Sequence, residues 1–213
     1  MALTNAYATL AQVKAAARIS DSVDDSLLEM ATESASRIVD TYCNRRFFTN
    51  GTETRVYSTQ DFYTVDVDDI AGTAITVKTS TAFDGTYDVT WSASDWQGEP
   101  LNRWDVGHAA PITRLRAVGS YLFTPYTATL GRLATIPTTY ASTQVTAVFG
   151  YGTAVPTEVA HATILLALRQ YSRYGSPTGV QSGEYGPVYV TRKLDPDVAA
   201  VLANFRRSPV GVA

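Results

Sequence analysis

The sequence predicts an α+β protein, with a small helical bundle formed by N- and C-terminal helices and a large β-rich insertion between them. Three observations lead to this prediction. Apolar residues recur at helical spacing near both ends, and the middle alternates between apolar and polar residues. The composition and the periodicity of the sequence change near Thr49 and Pro156. We therefore expect residues 1–48 and 153–213 to form the bundle and residues 49–152 to form the insertion.

Two helices are predicted before the insertion. Thr9 and Gln12 have the spacing of a capping box, which predicts a short helix that ends near residues 18–20. Ser22 and Asp25 repeat the same spacing, so a second helix is expected over about residues 23–44. Its predicted inward face is one apolar stripe, made of Leu27, Leu28, Ala31, Ala35, Ile38, Val39 and Tyr42.

The middle of the chain alternates between β-branched or aromatic residues and polar ones, which is typical of half-buried strands. Asp84 and Gly85 separate two such runs, and this pair tolerates the positive φ angles of a type I′ turn, so a hairpin is expected there. Residues 98–111 have the composition of a loop. Strands are expected around 53–58, 64–68, 75–78, 87–91, 112–117 and 143–149.

Helical spacing returns at Pro156, which suits the first position of a helix. Leu165 and Leu166 broaden its apolar face, so burial on more than one side is expected. Residues 176–193 are rich in glycine and proline and are expected to form an extended arm. A last helix is predicted to begin with Asp195 as its N-cap and Pro196 in its first turn.

Composition excludes several classes of function. The chain has 213 residues and a formal net charge of -3, which gives no overall attraction to nucleic acid or to an anionic membrane. No apolar run reaches the ~20 residues that a spanning helix needs, and no secretory signal is evident, so we expect no membrane partner. Cys43 is the sole cysteine, so no disulfide can form within the chain, which suits assembly in a reducing cytoplasm.

A search for catalytic or metal-binding chemistry finds no complete set. The two histidines, His108 and His161, lack a second ligand at metal-binding spacing. Asp66, Asp68 and Asp69 are the densest carboxylates, but the glycine and glutamate of a calcium loop are missing; a strand running into an acidic turn is the simpler interpretation. We therefore expect no enzyme, metal or cofactor. A weak metal site, or a metal-dependent hydrolase that uses Asp66, Asp68 and His108, remains as an alternative.

Two further motifs have structural interpretations. Gly150 and Gly152 resemble half of a dinucleotide fingerprint, but no parallel βαβ unit surrounds them, so a sharp turn from strand into helix is expected. The pairs Arg45/Arg46, Arg192/Lys193 and Arg206/Arg207 lie near helix ends. They are interpreted as solvated caps, or as a ring-lining or subunit-bridging patch if the helices pack together.

The two ends of the chain resemble head-to-tail connector (adaptor) proteins of tailed bacteriophages. Residues 7–14, 24–28 and 41–47 are similar to that family's opening: a short helix, an acidic turn and a long helix that ends in Tyr-x-x-Arg-x-Phe. Residues 155–159 and 194–197 resemble parts of its C-terminal half. The resemblance lies in the order and spacing of these segments.

The resemblance implies a structural virion subunit with no catalytic turnover. Such subunits assemble in the host cytoplasm into a homo-oligomeric ring, here expected to be twelve-fold, at the head–tail junction. The expected partners are the portal protein and the next head-completion or tail protein, with DNA passing through the channel without sequence-specific binding. An alternative is a tail-completion or baseplate component whose β domain contacts carbohydrate through exposed aromatics such as Trp91, Trp96, Trp104 and Tyr121.

Family members use extended segments to clasp a neighbour or the portal, and residues 183–192 are the corresponding candidate here. An extended segment can add to a sheet edge, where its main chain gives affinity and alternate side chains give register. The candidate subunit or portal interface therefore comprises Arg45, Arg46, Tyr185, Val188, Tyr189, Val190, Arg192, Lys193, Arg206 and Arg207.

Overall fold

A computed structural model describes most of the chain, and its residues cluster into two compact units. The described residues are 3–59, 61–82, 84–102, 110–124, 129–130, 134–135, 141–174, 180–183, 186–189 and 194–207. Met1–Arg45 and Val155–Ala213 form the first unit, here called the helical unit, and Arg46–Ala154 form the second, here called the β unit. Helices at the two ends and strands in the middle confirm the predicted α+β class.

The helical unit contains α1 (Leu10–Ala17), α2 (Asp25–Cys43), α3 (Thr157–Tyr174) and α4 (Pro196–Ala203). The helix α2 packs along α3, and α1 and α4 each pack against both of these helices. Two short antiparallel strands, β10 (Val180–Gly183) and β11 (Gly186–Tyr189), follow α3. Among the described residues, no helix is both long enough and apolar enough to cross a membrane.

The starts of the helices confirm two predicted caps and correct a third. Thr9 and Gln12 form the predicted capping box, and Asp195 caps α4 through the N–H of Asp197. The capping box predicted at Ser22 is wrong, because α2 begins at Asp25 and its N-cap residue, Asp24, makes no side-chain cap bond.

The two carboxylates at the start of α2 instead bind the neighbouring helices. The hydroxyl of Tyr171 on α3 donates to Asp24 Oδ2 at 2.6 Å, and Lys14 Nζ on α1 lies 2.6 Å from Asp25 Oδ1. Tertiary partners have thus displaced the local cap. Together these bonds hold three helices at one end of the unit.

The buried faces of α2 and α3 combine apolar and small polar residues. Thr32, Ser36 and Thr163 are fully buried, and each hydroxyl donates to a carbonyl one turn earlier, so burial leaves none of them without a partner. Leu166 is 5% exposed whereas Leu165 is 40% exposed. The expectation that Leu165 extends the buried face of α3 is therefore wrong, since the helix turns this side chain towards solvent.

The β unit is built from antiparallel strands. One sheet has the order β1 (Thr52–Tyr57), β9 (Thr143–Val148), β3 (Thr76–Thr79) and β4 (Val89–Thr90), and another has β2 (Thr64–Ile70), β6 (Ile112–Ala117) and β5 (Trp96–Glu99). A further pair is formed by β7 (Thr129–Leu130) and β8 (Ala134–Thr135). The predicted strands are confirmed, but β5 occupies the start of the segment predicted as a loop.

Residues from both larger sheets form the core of the β unit. Val65, Val77, Leu115 and Val145 are at most 1% exposed. Trp91 is 5% exposed, its ring stacks on Phe123 at 4.6 Å between centroids, and its Nε1 donates to Thr79 Oγ1 at 2.9 Å. Trp91 is therefore a core residue, and its predicted role as an exposed aromatic is wrong.

The predicted hairpin between β3 and β4 is present, but its connection is longer than a two-residue turn. Thr79 pairs with Val89, so residues 80–88 form the loop. Gly85 has a φ of +92°, as expected for a turn glycine. Asp88 accepts bonds from the backbone and hydroxyl of Thr81, which joins the two ends of this loop.

The acidic run was predicted to be a strand that ends in an acidic turn, but the strand β2 continues through Asp69 to Ile70. Asp66 and Asp68 lie within β2 and pair with Arg114 and Arg55, each at 2.7 Å. The pairing register of β2 with β6 shifts between Asp66 and Ile70, which indicates a bulge. These carboxylates are spread along a strand and engaged with arginines, rather than converging on one point.

Candidate interaction surface

A groove in the helical unit is lined by two stripes with identical spacing. On α2 the lining residues are Ser34, Arg37, Ile38, Thr41 and Tyr42, and on α3 they are Leu166, Arg169, Gln170, Arg173 and Tyr174. Each stripe follows i, i+3, i+4, i+7 and i+8, which places its members on one helical face. Leu194 completes the lining. The groove has a volume of about 880 Å³, within the range of about 300–1,000 Å³ typical of binding pockets.

The groove combines apolar surface with positive charge. Ile38 is 38% exposed and Tyr174 is 54% exposed, so both helices present apolar atoms to solvent. Among the described residues, its lining includes Arg37, which pairs with Asp40, together with Arg169 and Arg173, and it includes no carboxylate. A surface of this kind suits a partner that offers apolar or aromatic side chains together with negative charge.

The N-terminal segment holds one wall of the groove in place. Arg37 Nη2 donates to the carbonyl of Asn5 at 2.8 Å, and its guanidinium lies 5.5 Å from the centre of the Tyr7 ring. The hydroxyl of Tyr7 bonds to Asp40, which in turn pairs with Arg37 at 3.3 Å. These contacts fix the guanidinium of Arg37 on α2 before any partner binds.

Three of the predicted interface arginines lie near the end of α2. The N–H of Arg207 donates to the carbonyl of Cys43 at 2.8 Å, and the guanidinium of Arg206 lies 5.7 Å from the centre of the Tyr42 ring. Arg45 follows the left-handed C-cap residue of α2, Asn44. These three arginines place positive charge near the C-terminal end of α2, which is the negative end of the helix dipole.

Arg46, another of the predicted interface arginines, belongs to the β unit. Its Nη2 lies 3.2 Å from Glu53 Oε1 and 3.1 Å from the carbonyl oxygen of Phe149, and its guanidinium lies 4.9 Å from the centre of the Phe48 ring. Glu53 also binds Arg55 at 2.5 Å, and this hydrogen bond is the main cause that lowers the pKa of Glu53. Arg46 thus has a structural role at the start of the β unit.

The remaining predicted interface residues lie in the arm. Tyr185, Val190, Arg192 and Lys193 fall outside the described residues. Val188 and Tyr189 belong to β11, where the backbone register pairs them with Gln181 and Val180. The arm therefore contains a hairpin, and its proposed contacts with a neighbour stay a prediction.

Reactive chemistry is sparse in the described part of the chain. Its residues contain no group of three or more His, Cys, Asp and Glu that could hold a metal ion, and His108 falls outside them. Cys43 is fully buried, and burial is the largest cause that raises the pKa of its thiol to about 11. A protonated, inaccessible thiol is a poor nucleophile.

Sequence reasoning missed the groove and named only three of its lining residues, Ile38, Tyr42 and Leu166, as members of apolar faces. Ile38 and Tyr42 were assigned to the buried stripe of α2, yet both line the groove and Ile38 is 38% exposed. The available signal was the width of the apolar stripe on α2. Arginines at matching positions on α3 were a second signal.

Comparison with known protein families supports the resemblance seen in the sequence. Residues 7–78 match the family model described as "Phage gp6-like head-tail connector protein". The matched segment includes α1, α2 and the first strands of the β unit. No curated protein matches the chain in sequence.

Solved structures with a similar fold come from a gene transfer agent (GTA). A chain from "Neck of empty GTA particle computed with C6 symmetry" aligns with a TM-score of 0.56 and 14% identity, covering 100% of this chain and 96% of the other. A chain from "Virion of native gene transfer agent (GTA) particle" aligns with a TM-score of 0.54 and 16% identity, at the same coverage. At such low identity these likenesses establish the fold. Over residues 7–78, the chain is similar to phage gp6-like head-tail connector proteins.

Proposed function

We propose that the protein is a structural virion subunit that forms a ring at the head–tail junction. In this role it joins the portal to the tail or to the next connector protein and extends the DNA channel. The observation that carries the proposal is the match of residues 7–78 to a head-tail connector family, supported by a fold shared over the whole chain with a neck protein. The weak net charge of -3 suits a channel through which DNA slides without binding.

The ring is expected to contain twelve copies. A ring of subunits in identical head-to-tail contact closes by rotation and can bury apolar surface that a single copy leaves exposed. The similar neck structure was computed with C6 symmetry. A twelve-fold ring contains six-fold symmetry, so that reconstruction is compatible with the expected number but does not require it.

Electron microscopy of the purified protein, alone and with the portal, tests this proposal. We expect rings with a central channel, either from the protein alone or on portal-bearing heads, and a mass in light scattering far above the 23.0 kDa of one chain. A protein that remained monomeric and also failed to bind portal-bearing heads would refute the proposed function.

The arm and the basic pairs are proposed to contribute to this assembly. Replacing residues 180–189, the hairpin of β10 and β11, with a flexible linker of equal length is expected to weaken attachment to a neighbour or the portal. The helices should keep their stability, because the replaced segment lies between α3 and α4 rather than within either helix. Unchanged attachment would remove the arm from the proposed interface.

A further inference from the structure

An exposed apolar patch lies on the surface of the β unit. Two segments form it: residues 61–63, just before β2, and residues 118–122, just after β6. The exposed fractions of its large side chains are 47% for Phe62, 61% for Tyr63, 40% for Val118, 36% for Tyr121 and 49% for Leu122. A contiguous apolar surface of this kind often marks an interaction site, whereas single exposed apolar residues are common on any protein.

Hydrogen bonds show that the two segments lie side by side. The N–H of Ala117 donates to the carbonyl of Tyr63, and the N–H of Phe123 donates to the carbonyl of Phe62, each at 2.8 Å. The loop 118–122 therefore begins and ends against residues 62–63. The Tyr121 ring also lies 5.0 Å from that of Trp91, which connects the loop to the core. The patch thus rests on a well-packed base.

The patch carries one carboxylate and no cation within its two segments. Asp61 is exposed, and Oδ2 of its carboxylate accepts a hydrogen bond from the Thr64 hydroxyl at 2.9 Å. This bond is the largest cause that lowers the pKa of Asp61, so the group is negatively charged at neutral pH. The patch therefore offers aromatic side chains beside a negative charge.

These properties complement those of the groove. The described lining of the groove offers apolar walls with three arginines and no carboxylate, and at about 880 Å³ the groove has room for projecting side chains such as Phe62 and Tyr63. We propose that the Asp61–Tyr63 tip of one subunit inserts into the α2–α3 groove of a second copy, with Asp61 facing Arg173. This inference rests on the proposed function and names a contact by which the ring would close.

The contact is heterologous, because a patch on one copy meets a different surface on the next. In a pair of subunits, such a contact leaves one patch and one groove unoccupied, so further copies can add. The series ends when the last copy meets the first, which closes a ring. Aromatic side chains that fill a neighbour's pocket are the usual energetic centre of an interface. The opposite charges would set the register of the two copies.

Cysteine trapping tests the contact directly. The variants Tyr63→Cys and Tyr174→Cys, carrying tags of different size, are mixed and oxidised under conditions in which the wild-type protein is assembled, free or on portal-bearing heads. The native Cys43 is fully buried and does not compete. We expect a disulfide-linked heterodimer from the mixture and little homodimer from either variant alone. Val23→Cys, at a position that is 83% exposed and outside the groove, is the matched control and should not cross-link to Tyr63→Cys.

Charge reversal provides an independent measurement. Asp61→Arg alone and Arg173→Asp alone should each weaken subunit association at least about tenfold, because each places like charges in contact. An equimolar mixture should assemble again, since alternating subunits restore an opposite pair at every contact. Circular dichroism checks that each variant is folded.

The outcomes separate this contact from the proposed function. If the wild-type protein assembles while the mixture forms no heterodimer and both reversals assemble normally, the contact is refuted and the ring stands. If cross-linking succeeds but the mixture of reversals does not recover, the pairing of Asp61 with Arg173 is refuted. If the wild-type protein never assembles, even on heads, the proposed function is refuted and the contact with it.

Discussion

Replacing Gly150 by alanine would measure how strongly the chain depends on the turn that follows β9. Gly150 has a φ of +140°, and a Cβ built on it would lie 2.3 Å from the carbonyl oxygen of Phe48 and 2.8 Å from Thr49 Cγ2. The backbone itself must therefore move, since the nearer atom belongs to the main chain. The N–H of Gly150 also donates to the carbonyl of Asp69 at 2.7 Å, so this movement would strain a second strand.

Two other glycines of the β unit allow the cost of backbone strain to be measured separately from the cost of the steric clash. Gly51 has a φ of +89° but no atom within 4 Å of a built Cβ, so alanine there adds backbone strain alone. At Gly152 φ lies outside the left-handed range and the nearest atom, the carbonyl oxygen of Ala154, is 3.4 Å away. Gly152→Ala is therefore the matched control with little strain and little steric conflict.

The expected losses of unfolding free energy follow this order. Gly152→Ala should change stability by less than about 1 kcal/mol, because reduced freedom of the unfolded chain offsets a small adjustment. Gly51→Ala should cost about 1–2 kcal/mol, the price of a left-handed conformation for an L-residue. Gly150→Ala should cost about 3 kcal/mol or more, since a conformation worth about 1–3 kcal/mol of strain is combined with the clash.

Urea unfolding followed by tryptophan fluorescence is a selective assay for this series. The tryptophans Trp91, Trp96 and Trp104 all fall in residues 46–154, so the signal reports the β unit. The midpoint at constant slope gives the change in stability. If Gly150→Ala fell within about 1 kcal/mol of Gly152→Ala, the steric argument would be wrong.

Three further predictions concern buried and bonded side chains. Trp91→Ala should destabilise the β unit by about 3–5 kcal/mol. Thr79→Val should destabilise it by about 1–3 kcal/mol, because the buried indole N–H loses its acceptor. Urea unfolding measures both changes, and a Thr79→Val variant as stable as the wild type would contradict the hydrogen bond. Cys43 should resist a thiol reagent until the protein unfolds. Its pKa in the folded protein, about 11, exceeds the ordinary 9.0, so the contribution of this thiol to stability should fall as pH rises from 9 to 11. Fast labelling of the native protein would refute this burial. The bond to Asp24 is the largest cause that raises the pKa of Tyr171, so Asp24→Asn should lower that pKa in an NMR titration of labelled tyrosine, and an unchanged value would exclude the bond.

Local sequence signals predicted the elements well where a short segment contains the whole cause. The capping box of Thr9 and Gln12 and the Asp195 cap lie within one turn of their helices, and both are present. The Ser22 box failed because Asp24 and Asp25 gain tertiary partners, Tyr171 and Lys14, that no neighbouring residue reveals. The limits predicted for the domains, at 48/49 and 152/153, stay a prediction.

The candidate site was less accessible to sequence reasoning than the elements. Spacing on α2 and α3 indicated apolar stripes, but a stripe alone does not show which of its members a neighbour covers. Leu166 is buried and Ile38 is exposed, although both are apolar residues on amphipathic helices. Trp91 gave a similar error, since an aromatic in an alternating strand faces either the core or solvent depending on the register.

By itself, the sequence determined the α+β class, the order of the helices and of the strands β1 to β4, β6 and β9, the turn at Gly150 and the family resemblance, because periodicity, caps and glycine positions act over a few residues. The tertiary structure alone decided that β9 lies between β1 and β3, that α2 and α3 leave a groove lined by arginines, and that Asp61–Tyr63 lies beside residues 118–122. These features depend on contacts between residues far apart in the chain. Register and burial are set by the partner that packs against each element, and no local pattern contains that partner.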